Sequence, residues 1–465
     1  MSRHVLTLLF LLTASLPFLA MAWRPETSAP LAVPSGEEIL TITSPHNRDV
    51  RKEYSRAFRA WMRKRHGRSV ALRWLDVGGT SKVLKDLESR FATHPDDPGV
   101  DILFGGGPSP FLKAADRGWL ARVDPPAEIL ADIPRRCAGL PVYDADHRWF
   151  GVALSGFGII TNRVLLEQLG LPSPRAWEDL ADPAFFSWVG SGDPRSSGSV
   201  HMCYEIILQA YGFDPGWRLI TRLCANVRHF GEGGGTGPRE VMAGEVAAGL
   251  VIDQYAQRTI ASMEDACKAV GDRRLPASPL AFVLPAGETV ISPDPIAVIR
   301  GTDKPDLARL FVIFVLSEEG QRILYQPAGV RGQQHRLRRR PVRRSLYAKL
   351  HAPAVDPYAA EAELAYDDAT ASLRWRALND LIGCWCIDPH WDLQAAWTAV
   401  LAAGAPDDLV ERLTHPPLTE PELATVAGAW KDTRRRLDVM EEWSRRARAR
   451  YRTLRREARQ RPQTR

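Results

Sequence analysis

Two short turns in this 465-residue chain carry hydroxyls where a helix is about to begin: Thr80-Ser81 and Ser196-Ser197-Gly198-Ser199. A helix start leaves backbone N–H groups without internal partners, and its dipole favours negative charge. Hydroxyls add donors suited to phosphate oxygens, and Arg195, just before the second turn, offers a bidentate guanidinium. Either turn alone reads as an ordinary N-cap. Two of them in separate units of the chain point to an anion held between them. Gly233-Gly234-Gly235-Thr236-Gly237 resembles a phosphate loop but lacks the Lys-Ser/Thr that would follow in a nucleotide-binding loop. It is expected to form a flexible edge of a cleft.

Catalytic chemistry finds less support. His201 and Cys203 are two residues apart in a predicted helix and so point to different faces. The serines at 196, 197 and 199 have no evident base, and isolated Asp253 has no required partner. Cys384 and Cys386 have one residue between them, not the two of a redox or zinc pair. No cofactor is expected. The alternative in this class is a secreted enzyme acting on a phosphorylated small molecule.

The elements that must position these residues alternate in type. Ile39–Thr43 reads as a strand, Val50, Tyr54, Ala57, Phe58, Trp61 and Met62 follow at helical steps, and Val70–Leu75 is a second strand. Gly78-Gly79-Thr80-Ser81 turns into a helix marked by Val83, Leu84, Leu87 and Phe91, and Val100–Phe104 is a third strand before Gly105-Gly106-Gly107. This order implies an α/β domain whose largely parallel sheet binds ligands beyond its strand ends, where these two turns and Ser44-Pro45-His46-Asn47 after the first strand lie. A second unit follows, with helices predicted at about 201–211 and 215–224 and a strand at Ala248–Ile252; a helix at about 306–324 closes the pattern. The second lobe is read as inserted into the first, joined by crossovers near residues 150 and 285.

With these stretches in hand, the chain resembles the extracellular solute-binding proteins of ABC importers, in the group of ferric-iron, phosphonate and sugar-phosphate binders. The resemblance is carried by residues 40–46, 78–81, 101–107, 156–162, 193–199, 244–249, 292–297 and 308–321, in that order. It implies the two-lobed type II periplasmic-binding fold, a ligand in the interlobe cleft and delivery to a membrane permease. Carried onto this sequence, the first-lobe contacts are His46, Asn47, Thr80, Ser81 and Gly106. Those of the second lobe are Arg195, Ser196, Ser197, Gly198, Ser199, Asp253 and Tyr255. Ferric iron is the rival ligand. Iron-binding relatives use adjacent tyrosines, whereas Asp253-Gln254-Tyr255 supplies one, leaving His46 and Tyr255 as the metal alternative.

The implied organisation is a signal peptide at 1–22, lobe 1 at 37–150 and 285–348, and lobe 2 at 151–284. A helical extension at 349–429 and a basic amphipathic helix with tail at 430–465 follow. Val5–Ala20 is almost wholly apolar and Ala20-Met21-Ala22 offers a cleavage site, so export is expected, with an uncleaved anchor as the alternative. Export permits oxidation, and a disulfide is expected among Cys203, Cys224 and Cys267. The last 35 residues hold 14 Lys or Arg against 5 Asp or Glu, so the basic charge of the chain belongs to its end and the body is net negative. Leu437, Met440, Trp443, Ala447, Tyr451, Leu454 and Ala458 form a stripe that is expected to clasp the acidic body. No nucleic-acid partner is expected, and the molecule is read as a monomer.

Overall fold

The computed structural model describes residues 37–270, 278–349, 357–358 and 364–461; the predicted signal segment lies outside them. The first lobe begins with β1 (Glu38–Thr43), α1 (Arg48–His66), β2 (Val70–Leu75), α2 (Thr80–Thr93), β3 (Ile102–Phe104) and α3 (Pro108–Asp116). The apolar stripe of α1 buries Val50, Tyr54, Phe58, Trp61 and Met62, Asn47 caps its start, and Gly67 in the left-handed region ends it. Next come β4 (Phe150–Asn162), β5 (Val189–Gly192), α4 (Gly198–Tyr211), α5 (Phe213–Asn226), β6 (Val227–Gly231) and α6 (Thr236–Ala243). The lobes are completed by β7 (Ala248–Ile252), α7 (Asp253–Val270), β8 (Leu280–Val283), β9 (Ile291–Ile299) and α8 (Pro305–Leu316). The helix expected over 306–324 stops at Ser317, whose hydroxyl accepts from Gly320 N and starts a separate short helix at Glu318–Arg322.

Strand pairing runs β2-β1-β3-β9-β4-β7-β5-β6. Pairs β1/β2, β1/β3, β7/β5 and β5/β6 are parallel, while β3/β9, β9/β4 and β4/β7 are antiparallel. The 13-residue β4 belongs to both lobes. As far as Gly156 it pairs with β9, and from Phe157 it pairs with β7 and β8. The change of partner thus falls later than the crossover expected near residue 150, because one unbroken buried strand passes between the lobes.

Helices α9 (Asp368–Ile382), α10 (His390–Ala402), α11 (Asp407–Thr414), α12 (Glu420–Gly428) and α13 (Thr433–Gln460) form the C-terminal extension. Their apolar faces share one core with the second lobe, in which Trp217, Leu223 and Ile206 pack with Leu381, Trp385, Trp397 and Tyr451. Trp443, Ala447, Tyr451, Leu454 and Ala458 of α13 are buried, and Tyr451 donates its hydroxyl proton to Trp385 O at 2.9 Å. Leu437, at the start of the same stripe, is exposed. The basic helix therefore packs as a clasp along most of its length. The expected disulfide is absent: Cys203, Cys224 and Cys267 are free thiols. Cys203 is spent as a small core residue of α4, and Cys224 faces the Tyr204 hydroxyl at 3.7 Å. No described helix is long and apolar enough to cross a membrane.

Candidate functional site

A cavity of about 230 Å³ lies between the lobes. On one side Gly79 opens α2 with no side-chain cap; on the other Ser197 caps α4, its hydroxyl facing Val200 N at 3.4 Å and Ser199 Oγ at 3.2 Å. The two helix starts abut. A Cβ on Gly79 would lie 2.5 Å from Ser196 O, and one on Gly198 would lie 2.9 Å from Thr80 Oγ1. Glycine is required at both places by this close approach, and the positive ends of two helix dipoles face the same small space.

The first-lobe wall is built around a buried charge knot. His46 Nε2 lies 2.7 Å from Asp294 Oδ2 and 2.9 Å from Arg339 Nη1, and Arg339 Nη2 also donates to Asp294 Oδ2. Asp294 Oδ1 accepts from Gly106 N at 2.8 Å. Gly105, Gly106 and Gly107 all have φ between 75° and 107°, a run only glycine adopts without strain, and the His46 ring fills the place where a Gly105 side chain would sit. Burial alone would raise the Asp294 carboxyl, but Arg339 and His46 overcome it and hold the acid well below the usual carboxylate range. Burial lowers the His46 pKa against the pull of Asp294. Nε2 faces both a donor, Arg339, and an acceptor, Asp294, and can serve only one of them at a time; Nδ1 is buried with no partner.

The remaining expected residues divide. His46, Asn47, Thr80, Gly106, Ser196, Ser197, Gly198, Ser199 and Tyr255 line the cavity. The Asn47 amide oxygen is committed to capping α1, through Asp49 N and Val50 N at 3.1 and 3.2 Å. Ser81 belongs to the first turn of α2. Arg195 lies outside the cavity lining, its guanidinium held by Asp193 at 2.7 Å and Asp388 at 2.9 Å. Asp253 sits at the first turn of α7 and accepts from Gly156 N at 3.1 Å and Gln254 N at 2.6 Å, which fixes the point where β4 changes partners. Burial raises its pKa, opposed by Arg340 and these N–H groups.

Sequence reasoning missed Asp294, Arg339, Ser155 and Ser292, all of which line the cavity. Asp294 stood as the one ionisable residue of a strand that is apolar but for Ser292, a recoverable signal of a paired buried acid. Arg339 stood among seven arginines of residues 331–344 and nothing set it apart. Gly233 and Gly234 also line the cavity, at the edge expected for that loop. For a metal, the lining offers one imidazole and one carboxylate, each bonded to Arg339, and one phenol. Among the described residues no group of three or more His, Cys, Asp or Glu could hold a metal ion.

Residues 97–329 match the family described as bacterial extracellular solute-binding protein. The chain belongs to that family. It is 28% identical over 231 residues to the Salmonella typhimurium phosphoglycerate transport regulatory protein PgtC, a match covering 48% of this chain and 51% of that one. The chain thus spans about half the length of this relative. Its fold is similar to that of the periplasmic binding protein AfuA from Actinobacillus pleuropneumoniae, solved with exogenous fructose-6-phosphate bound. That likeness has a TM-score of 0.55 at 20% identity and covers 78% of this chain and 98% of AfuA. Iron-bound HitA from Pseudomonas aeruginosa is similar to the same degree, with a TM-score of 0.55 at 20% identity over 74% of this chain and 99% of HitA. At such identity the likeness is one of fold, and this solute-binding protein has the two-lobed α/β architecture of both, with helices added at its C-terminal end.

Proposed function

We propose that this solute-binding protein takes up a small anion bearing a phosphate or phosphonate group, outside the cytoplasm, and delivers it to an ABC permease without chemical turnover. The observation that carries this reading is the meeting of two helix starts from opposite lobes at one cavity. Their dipoles repel across that space unless negative charge lies between them. Free N–H groups, the hydroxyls of Thr80, Ser197 and Ser199, and the unpartnered Ser155 hydroxyl supply donors. Phosphoglycerate in the name of the Salmonella relative and fructose-6-phosphate in AfuA are consistent with such an anion. Ser197 and Ser199 face one another rather than a base, which favours binding over hydrolysis.

Calorimetry with fructose 6-phosphate, 3-phosphoglycerate, methylphosphonate and inorganic phosphate, against ferric citrate, tests the class. Binding of a phosphate or phosphonate compound, with no phosphate released on prolonged incubation, is expected. Iron binding that depends on Tyr255 and His46, with no phosphate compound bound, would reverse the ranking. Released phosphate would make the protein an enzyme.

A further inference from the structure

We propose that the C-terminal extension is a closure latch: Trp375 and Arg376 of α9 are positioning residues that hold the lobes together over the ligand. The proposal rests on the reading of the molecule as a receptor that opens and closes. Two polar pairs tie α9 to the second lobe. Arg374 makes a buried bidentate pair with Glu205 of α4, at 2.7 and 3.0 Å, and Asn379 Oδ1 lies 2.6 Å from Nδ1 of His201 on the same helix. The Trp375 ring lies on the His201 ring with centroids 3.6 Å apart. Because the extension shares its core with the second lobe, it must move with that lobe.

The next residues of the same helix reach the other lobe. Arg376 Nη2 donates to Glu88 of α2 at 3.2 Å, and Glu88 is also held by Arg117 at 2.8 Å. Trp375 and Arg376 line a small void with Thr80, Leu84, Ser109, Pro110 and Lys113 of the first lobe. Trp375 Cζ2 would also lie 3.6 Å from a side chain at Gly198, the first residue of α4. The latch therefore stands directly behind the two helix starts that abut at the ligand cavity. Opening the cleft must separate Arg376 from Glu88 and draw Trp375 away from Thr80, so both contacts favour the closed state and slow release.

Arg376 is half-exposed, so its removal tests the latch without opening the core. Arg376→Ala is expected to release fructose 6-phosphate or 3-phosphoglycerate about threefold faster in stopped-flow tryptophan fluorescence, the range of a partly exposed ion pair. Its ligand-free radius of gyration by small-angle scattering should rise, its melting temperature should stay near that of the parent, and Arg376→Lys should restore most of the release rate. A parent-like release rate together with a parent-like ligand-free radius overturns the latch. Should neither probe bind the parent protein, the phosphate reading fails, and the scattering comparison alone decides the latch.

Discussion

The two walls of the cleft hold their donors by opposite means. The first-lobe wall is charged but internally neutralised: Asp294 bonds Arg339 and the glycine turn, with His46 packed against both charges and all three side chains buried. The second-lobe wall has no such knot. It presents the hydroxyls of Ser197 and Ser199, the start of α4 and the Gly233-Gly234 loop, and its rigidity comes from behind, where the extension packs on α4 and α5. Buried charges in a site need fixed counter-charges, whereas neutral donors need only a stiff helix. The extension supplies that stiffness, which the sheet supplies on the other side.

Removing the backing of one wall should have the largest effect. Truncation after Gly428 strips Trp443, Tyr451 and Leu454 from the second-lobe core and should cost more than the roughly 3–5 kcal/mol of a single buried aromatic deletion. Differential scanning calorimetry should record the loss, with association to anionic liposomes unchanged; unchanged melting with lost liposome binding would make the helix a membrane contact instead. The matching insult to the other wall is Asp294→Ala, which leaves Arg339 buried without its carboxylate and should cost about 3–5 kcal/mol in urea unfolding. A cost near zero would mean that the knot is dispensable and that the walls differ less than their chemistry suggests.

Thr80→Ala combined with Ser197→Ala removes one hydroxyl from each wall and should weaken phosphate-compound binding by about 2–4 kcal/mol through lost charge-assisted hydrogen bonds. Calorimetry reads this directly, and unchanged affinity in a folded double variant would remove both turns from the site. Acidification sharpens the comparison further, because His201 joins the second-lobe wall to its backing. Burial lowers its pKa to about 4 from an ordinary 6.5, opposed by Glu205 and Asn379. The unfolded chain therefore binds the proton first as pH falls. His201 stabilises the fold fully above pH 6.5 and loses that contribution between 6.5 and 4, at most about 3 kcal/mol. The fall in melting temperature over that window should shrink in His201→Gln, and an identical fall would place the acid sensitivity elsewhere.

Local pattern carried the helix starts. Gly79-Thr80 and Ser197-Gly198 were readable as anion-favouring turns because capping chemistry is written within a few residues. The stripe of α13 was readable for the same reason, since a helix repeats its buried face every three to four positions. The pairing of Arg195 with Asp388, almost two hundred residues away, has no local signature. Asp253 looked like a ligand contact from its position at a strand end, yet it caps the backbone at Gly156.

By itself, then, the sequence determined which segments form helices and strands, the two turns that could meet an anion, and the basic character of the last helix; these follow from periodicity and capping, which act over a turn or two of chain. The tertiary structure alone decided that Asp294, Arg339 and His46 share one buried site, that Arg195 is taken up by Asp193 and Asp388, and that α9 touches both lobes. Apart from Arg195 with Asp193, two positions away, those pairings join residues separated by 45 to 293 positions. Which of many arginines meets which carboxylate is fixed only when folding brings the strands and helices that carry them to one place and removes the water that would otherwise solvate each charge.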